Sequence, residues 1–122
     1  MFAGIGNKND IILGKDLKDV DISLWDVSNG ICFSGMFEYS RGFNCDISEW
    51  DVRNGTDFSC MFINCKQFNQ DLSNWNVSGA WLPISPNRIN EKHFAYIFAG
   101  CDELQYYDKI KQAWEEKYNV LL

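Results

Sequence analysis

Residues 21–45 read DISLWDVSNGICFSGMFEYSRGFNC, and residues 46–70 read DISEWDVRNGTDFSCMFINCKQFNQ. Aligned without gaps, 14 of the 25 positions are identical: Asp, Ile, Ser, Trp, Asp, Val, Asn, Gly, Phe, Ser, Met, Phe, Phe and Asn. A third copy opens in register at residue 71 as DLSNWNVSG, breaks, and resumes at Phe94 as FAYIFAGCDEL, matching FSCMFINCKQF at 58–68. The interval from Phe58 to Phe94 is 36 residues, one 25-residue period plus an 11-residue insertion. The chain therefore holds two complete repeats and one interrupted repeat, and repetition at this period is the signature of a stacked architecture.

Within each repeat the apolar residues fall into two groups. Ile22, Trp25 and Val27, followed by Asn29, approximate the L-x-x-L-x-L-x-x-N core of a leucine-rich repeat. Trp25 and Val27 are two apart, which points them to one face of a short strand with Asp26 on the other. Phe33, Met36 and Phe37 stand at i, i+3 and i+4, the stripe of a short helix. Each unit thus reads as strand, Asn-Gly turn, short helix and return. One unit cannot bury its own apolar face, so the units must stack. Stacking places Trp25, Trp50 and Trp75 in one column, Ile22, Ile47 and Leu72 in a second, and Phe33, Phe58 and Phe94 in a third. The predicted fold class is an α/β repeat solenoid: a short leucine-rich-repeat-like stack with a small sheet, short helices and a C-terminal capping helix.

The consensus DISxWDVxNxTDFSxMFxxCxxFNQ resembles the BspA-type bacterial surface-protein repeat, a leucine-rich-repeat relative of about 25 residues. The resemblance covers residues 21–79 and 93–104. It implies a right-handed solenoid that binds partners through its exposed surface. It also implies kinship with secreted or membrane-anchored proteins, some of them adhesins.

The ends of a stack need covers, because an open end exposes apolar columns and unpaired edges. The reading is one domain over 1–122. Residues 1–20 form an N-terminal cap, with IILGKDLKDV at 11–20 as its strand and loop. Residues 21–104 hold the three repeats, with the insertion at about 81–92, and 105–122 form the capping helix. Tyr107, Ile110, Trp114 and Tyr118 recur at 3, 4 and 4, an amphipathic spacing, and Asp102 with Gln105 resembles a capping box.

Composition narrows the function classes. The 122 residues are 46% hydrophobic and 16% aromatic with only two prolines, which excludes a disordered or fibrous chain. Eleven basic and 17 acidic residues give a net charge of −6. That balance opposes direct nucleic-acid binding, since such affinity comes mainly from Lys and Arg neutralising phosphates. The opening MFAGIGNKND lacks a basic segment followed by an apolar one, and no apolar run approaches membrane-spanning length. The expected location is cytoplasmic, or extracellular if an export signal has been removed, with no membrane partner. Cysteines at 32, 45, 60, 65 and 101 are odd in number and contain no CxxC pair, so reduced structural thiols are expected. Cys65 and Cys101 share a repeat phase with Ser40 and read as small fillers of the wall.

Catalysis finds little footing. His93 is the one histidine, no G-x-S-x-G elbow or P-loop occurs, and carboxylates on a regular stack repeat by register without converging on a pocket. No enzyme activity and no cofactor are expected. Asp21, Asp46 and Asp71 form a column that could suggest calcium, yet an Asp ahead of each strand also accepts backbone N–H groups at a turn. Asn44 and Asn69 read as turn-satisfying residues within the stack.

Two candidate partner surfaces remain. Between Asp19 and Asp57 stand eight acidic and two basic residues, so this stretch alone carries the chain's net −6. Asp26, Glu49 and Asp51 are expected on the outward face of adjacent strands, with Asp46 nearby, where concentrated negative charge steers basic partners. The second is the inserted segment WLPISPNRINEK, which holds both prolines together with Trp81 and Arg88, residue types enriched at interface hot spots. The bland alternatives are a solvated face and a flap packed on its own scaffold. The expected function is protein binding without chemistry. In the first form, an intracellular acidic inhibitor covers the basic, nucleic-acid-binding surface of a nucleic-acid-processing enzyme, as in phage-type counter-defence against CRISPR or restriction. In the second, the chain is a BspA-like extracellular adhesion module. Oligomeric state is left open.

Overall fold

In the computed structural model the described residues are 17–81 and 93–122, with only the backbone described at Trp81. The stack they form is built of turns. Six i→i+3 backbone hydrogen bonds recur in each repeat at matching positions. In the first repeat Trp25, Gly30, Met36, Glu38, Ser40 and Phe43 donate to Ile22, Val27, Phe33, Gly35, Phe37 and Ser40. In the second, Trp50, Gly55, Met61, Ile63, Cys65 and Phe68 do the same. In the third they are Trp75, Ala80, Ile97, Ala99, Cys101 and Leu104.

The α/β solenoid with a small sheet is therefore corrected. Among the described residues no strand and no sheet form, the one β-bridge is an isolated parallel pair between Cys32 and Asp57, and the one α-helix is C-terminal. Two physical reasons account for this. The I-x-x-W and V-x-N-G segments close tight turns, which consume the N–H groups a ladder would need. The presumed short helix at Phe33–Ser40 is broken by left-handed residues: Gly35 (φ 67°) and Tyr39 (φ 62°), then Cys60 and Asn64, then Tyr96 and Gly100. A left-handed residue cannot continue a right-handed helix, and here one recurs every fourth position. The 3, 4 apolar spacing thus arises from consecutive turns.

The left-handed residues alternate with others in a way that serves stacking. Alternate N–H groups close the local turns, and the intervening ones cross to the next repeat. Phe33, Gly35, Phe37 and Tyr39 donate to the carbonyls of Asp57, Ser59, Met61 and Ile63 at 2.8–2.9 Å. One repeat on, Phe58, Cys60, Phe62 and Asn64 donate to His93, Ala95, Ile97 and Ala99 at 2.7–3.0 Å. The insertion before His93 thus leaves the register intact.

Inside, the rings stack in columns. Phe33–Phe58 and Phe58–Phe94 centroids are 5.4 and 5.5 Å apart, and Phe37–Phe62 and Phe62–Phe98 are 5.7 and 5.6 Å apart. These spacings suit offset stacking, and all of these rings are buried. The tryptophans add a polar tie. Trp50 Nε1–H donates to the Ile22 carbonyl at 3.0 Å, and Trp75 Nε1–H to that of Ile47 at 2.9 Å. Trp25 departs from the expected buried column: it stands at the outer end of the series and is 48% exposed.

A 3-10 turn spans Ser78–Trp81, and helix α1 spans Tyr107–Tyr118. Helix α1 buries Ile110 and Trp114. Trp114 lies 6.2 Å from Trp75 and nearly parallel to it, and its Nε1–H donates to the Leu72 carbonyl at 2.9 Å. The helix thereby supplies the indole that a further repeat would have contributed. The capping box expected at Asp102 and Gln105 is corrected: the N-cap is Tyr106, with no side-chain cap bond, and Gln105 N–H donates to Asn69 Oδ1. At the other end Asn119 is left-handed (φ 55°) and donates to Glu115.

Candidate partner-binding surface

Asp26, Asp46, Glu49 and Asp51 are all exposed. They sit on turns and not on the outward face of strands, since no strand is present there. Three of them are fixed locally. Asp26 Oδ1 accepts both the N–H and the hydroxyl of Ser28, at 3.0 and 2.6 Å, and Asp46 Oδ1 accepts the same pair from Ser48, at 3.0 and 2.6 Å. Asp51 Oδ1 accepts the Arg53 N–H at 3.3 Å, and its Oδ2 lies 3.4 Å from Arg53 Nε. These are Asx turns, in which a short carboxylate satisfies a backbone donor two residues on. The second oxygens of Asp26 and Asp46 remain turned to solvent.

The column Asp21, Asp46 and Asp71 belongs to the same device. Asp21 accepts from Ser23 and Asp71 from Ser73. The Ser23, Ser28 and Ser48 hydroxyls, followed by their N–H groups, hold Asp21, Asp26 and Asp46 below the usual carboxylate range. At Asp71 burial pushes the other way, but Lys109 and Ser73 outweigh it and the pKa is again lowered. Lys109 Nζ lies 2.6 Å from Asp71 Oδ2, which neutralises this column at its third member. The outward charge is therefore concentrated in the first two repeats.

Of the other expected contact residues, Arg88 lies outside the described residues, as does the inserted segment from 82 to 92. Trp81 closes the 3-10 turn, and its side chain is outside the description. His93 pairs through Nδ1 with the Thr56 carbonyl, so that nitrogen carries the proton, and its own carbonyl joins the inter-repeat ladder. Cys65 Sγ–H donates to the Phe37 carbonyl at 2.9 Å and Cys101 Sγ–H to that of Phe62 at 3.1 Å. Burial pushes both thiols up to about 12. None of the five cysteines forms a disulfide. In the same column Ser40 Oγ is fully buried with no hydrogen-bond partner.

Sequence reasoning passed over a set of exposed apolar residues: Leu24, Ile31, Tyr39 and Tyr96, the last 71% exposed. A signal was available. At the places of Leu24, Ile31 and Tyr39 the second repeat carries Glu49, Thr56 and Asn64. No helix among the described residues is long and apolar enough to cross a membrane.

Comparison with curated proteins and with solved structures finds no match to this chain. A family model does match, over residues 5–82, a span that takes in the first two repeats and the opening of the third. The chain belongs to the family described as Mycoplasma protein of unknown function, DUF285.

Proposed function

We propose that the chain is a non-catalytic protein-binding module that acts inside the cell by occupying a basic, nucleic-acid-binding surface of a partner enzyme. The observation that carries this reading is the exposed group Asp26, Asp46, Glu49 and Asp51, three of its carboxylates fixed by Asx turns on a rigid stack. Preset carboxylates lose little side-chain freedom on binding, and their field steers a basic partner into register. Phage-type counter-defence proteins are one class that would work in this way.

The repeat pattern supports a second reading. The 25-residue register resembles the BspA-type surface repeat, which would make the chain an extracellular adhesion module for host proteins.

The Asx turns supply a clean test. Asp26→Asn, Glu49→Gln and Asp51→Asn remove three charges while keeping an oxygen acceptor at each turn. Wild-type protein should retain a nucleic-acid-processing complex from lysate at low salt and release it at high salt. It should also stop that complex from taking up DNA or RNA. The triple variant should still unfold in one cooperative transition well above the assay temperature and lose the interaction. Retention by the triple variant with an unchanged salt dependence would refute the acidic-face reading. Binding to cell surfaces in place of any intracellular complex would support the adhesion module.

A further inference from the structure

One row of turns runs with a single hydrogen-bonding polarity along the stack, while the crossings of Thr56, Gln67 and Glu103 to Ile31, Arg41 and Lys66 run the other way. Within the chain every crossing bond of the Phe33–Tyr39 and Phe58–Asn64 rows runs from an N–H of one repeat to a carbonyl of the next. At the last repeat the same row continues as Tyr96, Phe98 and Gly100, whose N–H groups meet no acceptor among the described residues. At the first repeat the matching carbonyls belong to Ser34, Met36 and Glu38, which accept from no donor among the described residues. Three donors at two-residue spacing thus end one side, and three acceptors at the same spacing end the other.

Exposed apolar groups accompany both rows. Ile31 and Tyr39, 62% and 52% exposed, flank the acceptor row in sequence. Tyr96 sits inside the donor row, beside an open groove of about 340 Å³ whose rim includes Ala99, Tyr107 and Leu122. Helix α1 seals the ring columns through Trp114, which contacts Phe94 and Phe98, but it takes none of these N–H groups. Among the described residues the core is closed while the backbone rim stays open.

We propose that the donor row at Tyr96–Gly100 pairs with the acceptor row at Ser34–Glu38 of a second copy, joining copies head to tail. A second copy fits because its first repeat carries the carbonyl spacing and the left-handed turns that every repeat here presents to the one before it. Pairing either row with the same row of a second copy would set donors against donors or acceptors against acceptors. The interface is heterologous, and such contacts continue into open assemblies unless the rotation closes a ring.

The test is sedimentation velocity over a wide range of protein concentration. Wild-type protein should associate beyond the dimer as concentration rises. Tyr96→Asp blocks the donor end, and Ile31→Asp combined with Tyr39→Asp blocks the acceptor end. Asp is tolerated at the left-handed positions 39 and 96. Each variant alone should stay monomeric, and an equimolar mixture should form a one-to-one dimer and nothing larger. Tyr39→Asn, which places the second repeat's own residue at this turn, and Tyr96→Asn, whose side chain tolerates the left-handed region, give the same comparison if either Asp variant fails to fold. A wild-type monomer at all concentrations would overturn the proposal. So would association by a single blocked variant, or a mixture that does not dimerise.

Discussion

At the residue scale, each repeat depends on a few side chains that finish hydrogen bonds the turns leave open. Trp75 fills the core and also satisfies the Ile47 carbonyl in the repeat before it. Trp75→Phe keeps most of the ring and removes one of the two donors to that carbonyl, which still accepts the Trp50 N–H, so it should cost about 0.5–1.5 kcal/mol, read from the urea midpoint at constant m-value. Gly55 is required for a different reason: a Cβ there would lie 2.5 Å from Phe58 Cζ and 3.0 Å from the Phe33 ring. Gly55→Ala should therefore destabilise by about 1–3 kcal/mol through overpacking. The buried Cys65 and half-buried Cys101 thiols, raised to about 12, stay protonated at pH 8. Native protein should leave these two unlabelled by a thiol reagent, and denatured protein should expose all five cysteines to it.

At the element scale, the repeat length and the Phe33, Phe58 and Phe94 column were legible because a 25-residue identity fixes register whatever the local conformation. The local conformation was not. Apolar positions two apart suggested strand, and positions three and four apart suggested helix, yet successive i→i+3 turns produce both spacings. The deciding feature is the left-handed backbone at Tyr39, Cys60 and Tyr96, where side chains give little warning because glycine appears at only two of the six such positions. The candidate surface was legible in part: Asp26, Asp46, Glu49 and Asp51 are exposed, but that Asp26 and Asp51 tie their own turns follows only from the coordinates. Helix α1 offers a contrast between contact types. Trp114, fully buried and stacked on Trp75, should cost about 3–5 kcal/mol when cut to Ala. Lys109, whose ion pair to Asp71 sits at the surface and is screened by solvent, should leave the unfolding midpoint almost unchanged when cut to Ala. Thermal unfolding of the two variants separates these outcomes.

At the scale of the whole molecule, repeated Asx turns make stability depend on pH. Asp21, Asp26, Asp46 and Asp71 all have folded pKa values below their unfolded ones. Their contribution is complete above the unfolded value near 3.9 and is lost as pH falls through the lower folded values. The unfolding midpoint should stay level from about pH 7 to pH 5 and drop below about pH 4. Asp46→Asn, which keeps the turn acceptor but cannot titrate, should make that drop shallower.

Amide hydrogen exchange of dilute protein tests the stacked-turn architecture most directly. Phe33, Gly35, Phe37 and Tyr39, with Phe58, Cys60, Phe62 and Asn64, should exchange slowly because each donates to the next repeat. Glu49 and Asp51, on the segment that a leucine-rich-repeat sheet would place in its ladder, should exchange fast, as should Tyr96 and Gly100 at the open edge. Slow exchange at Glu49 and Asp51 together with fast exchange at Cys60 and Asn64 would contradict the account.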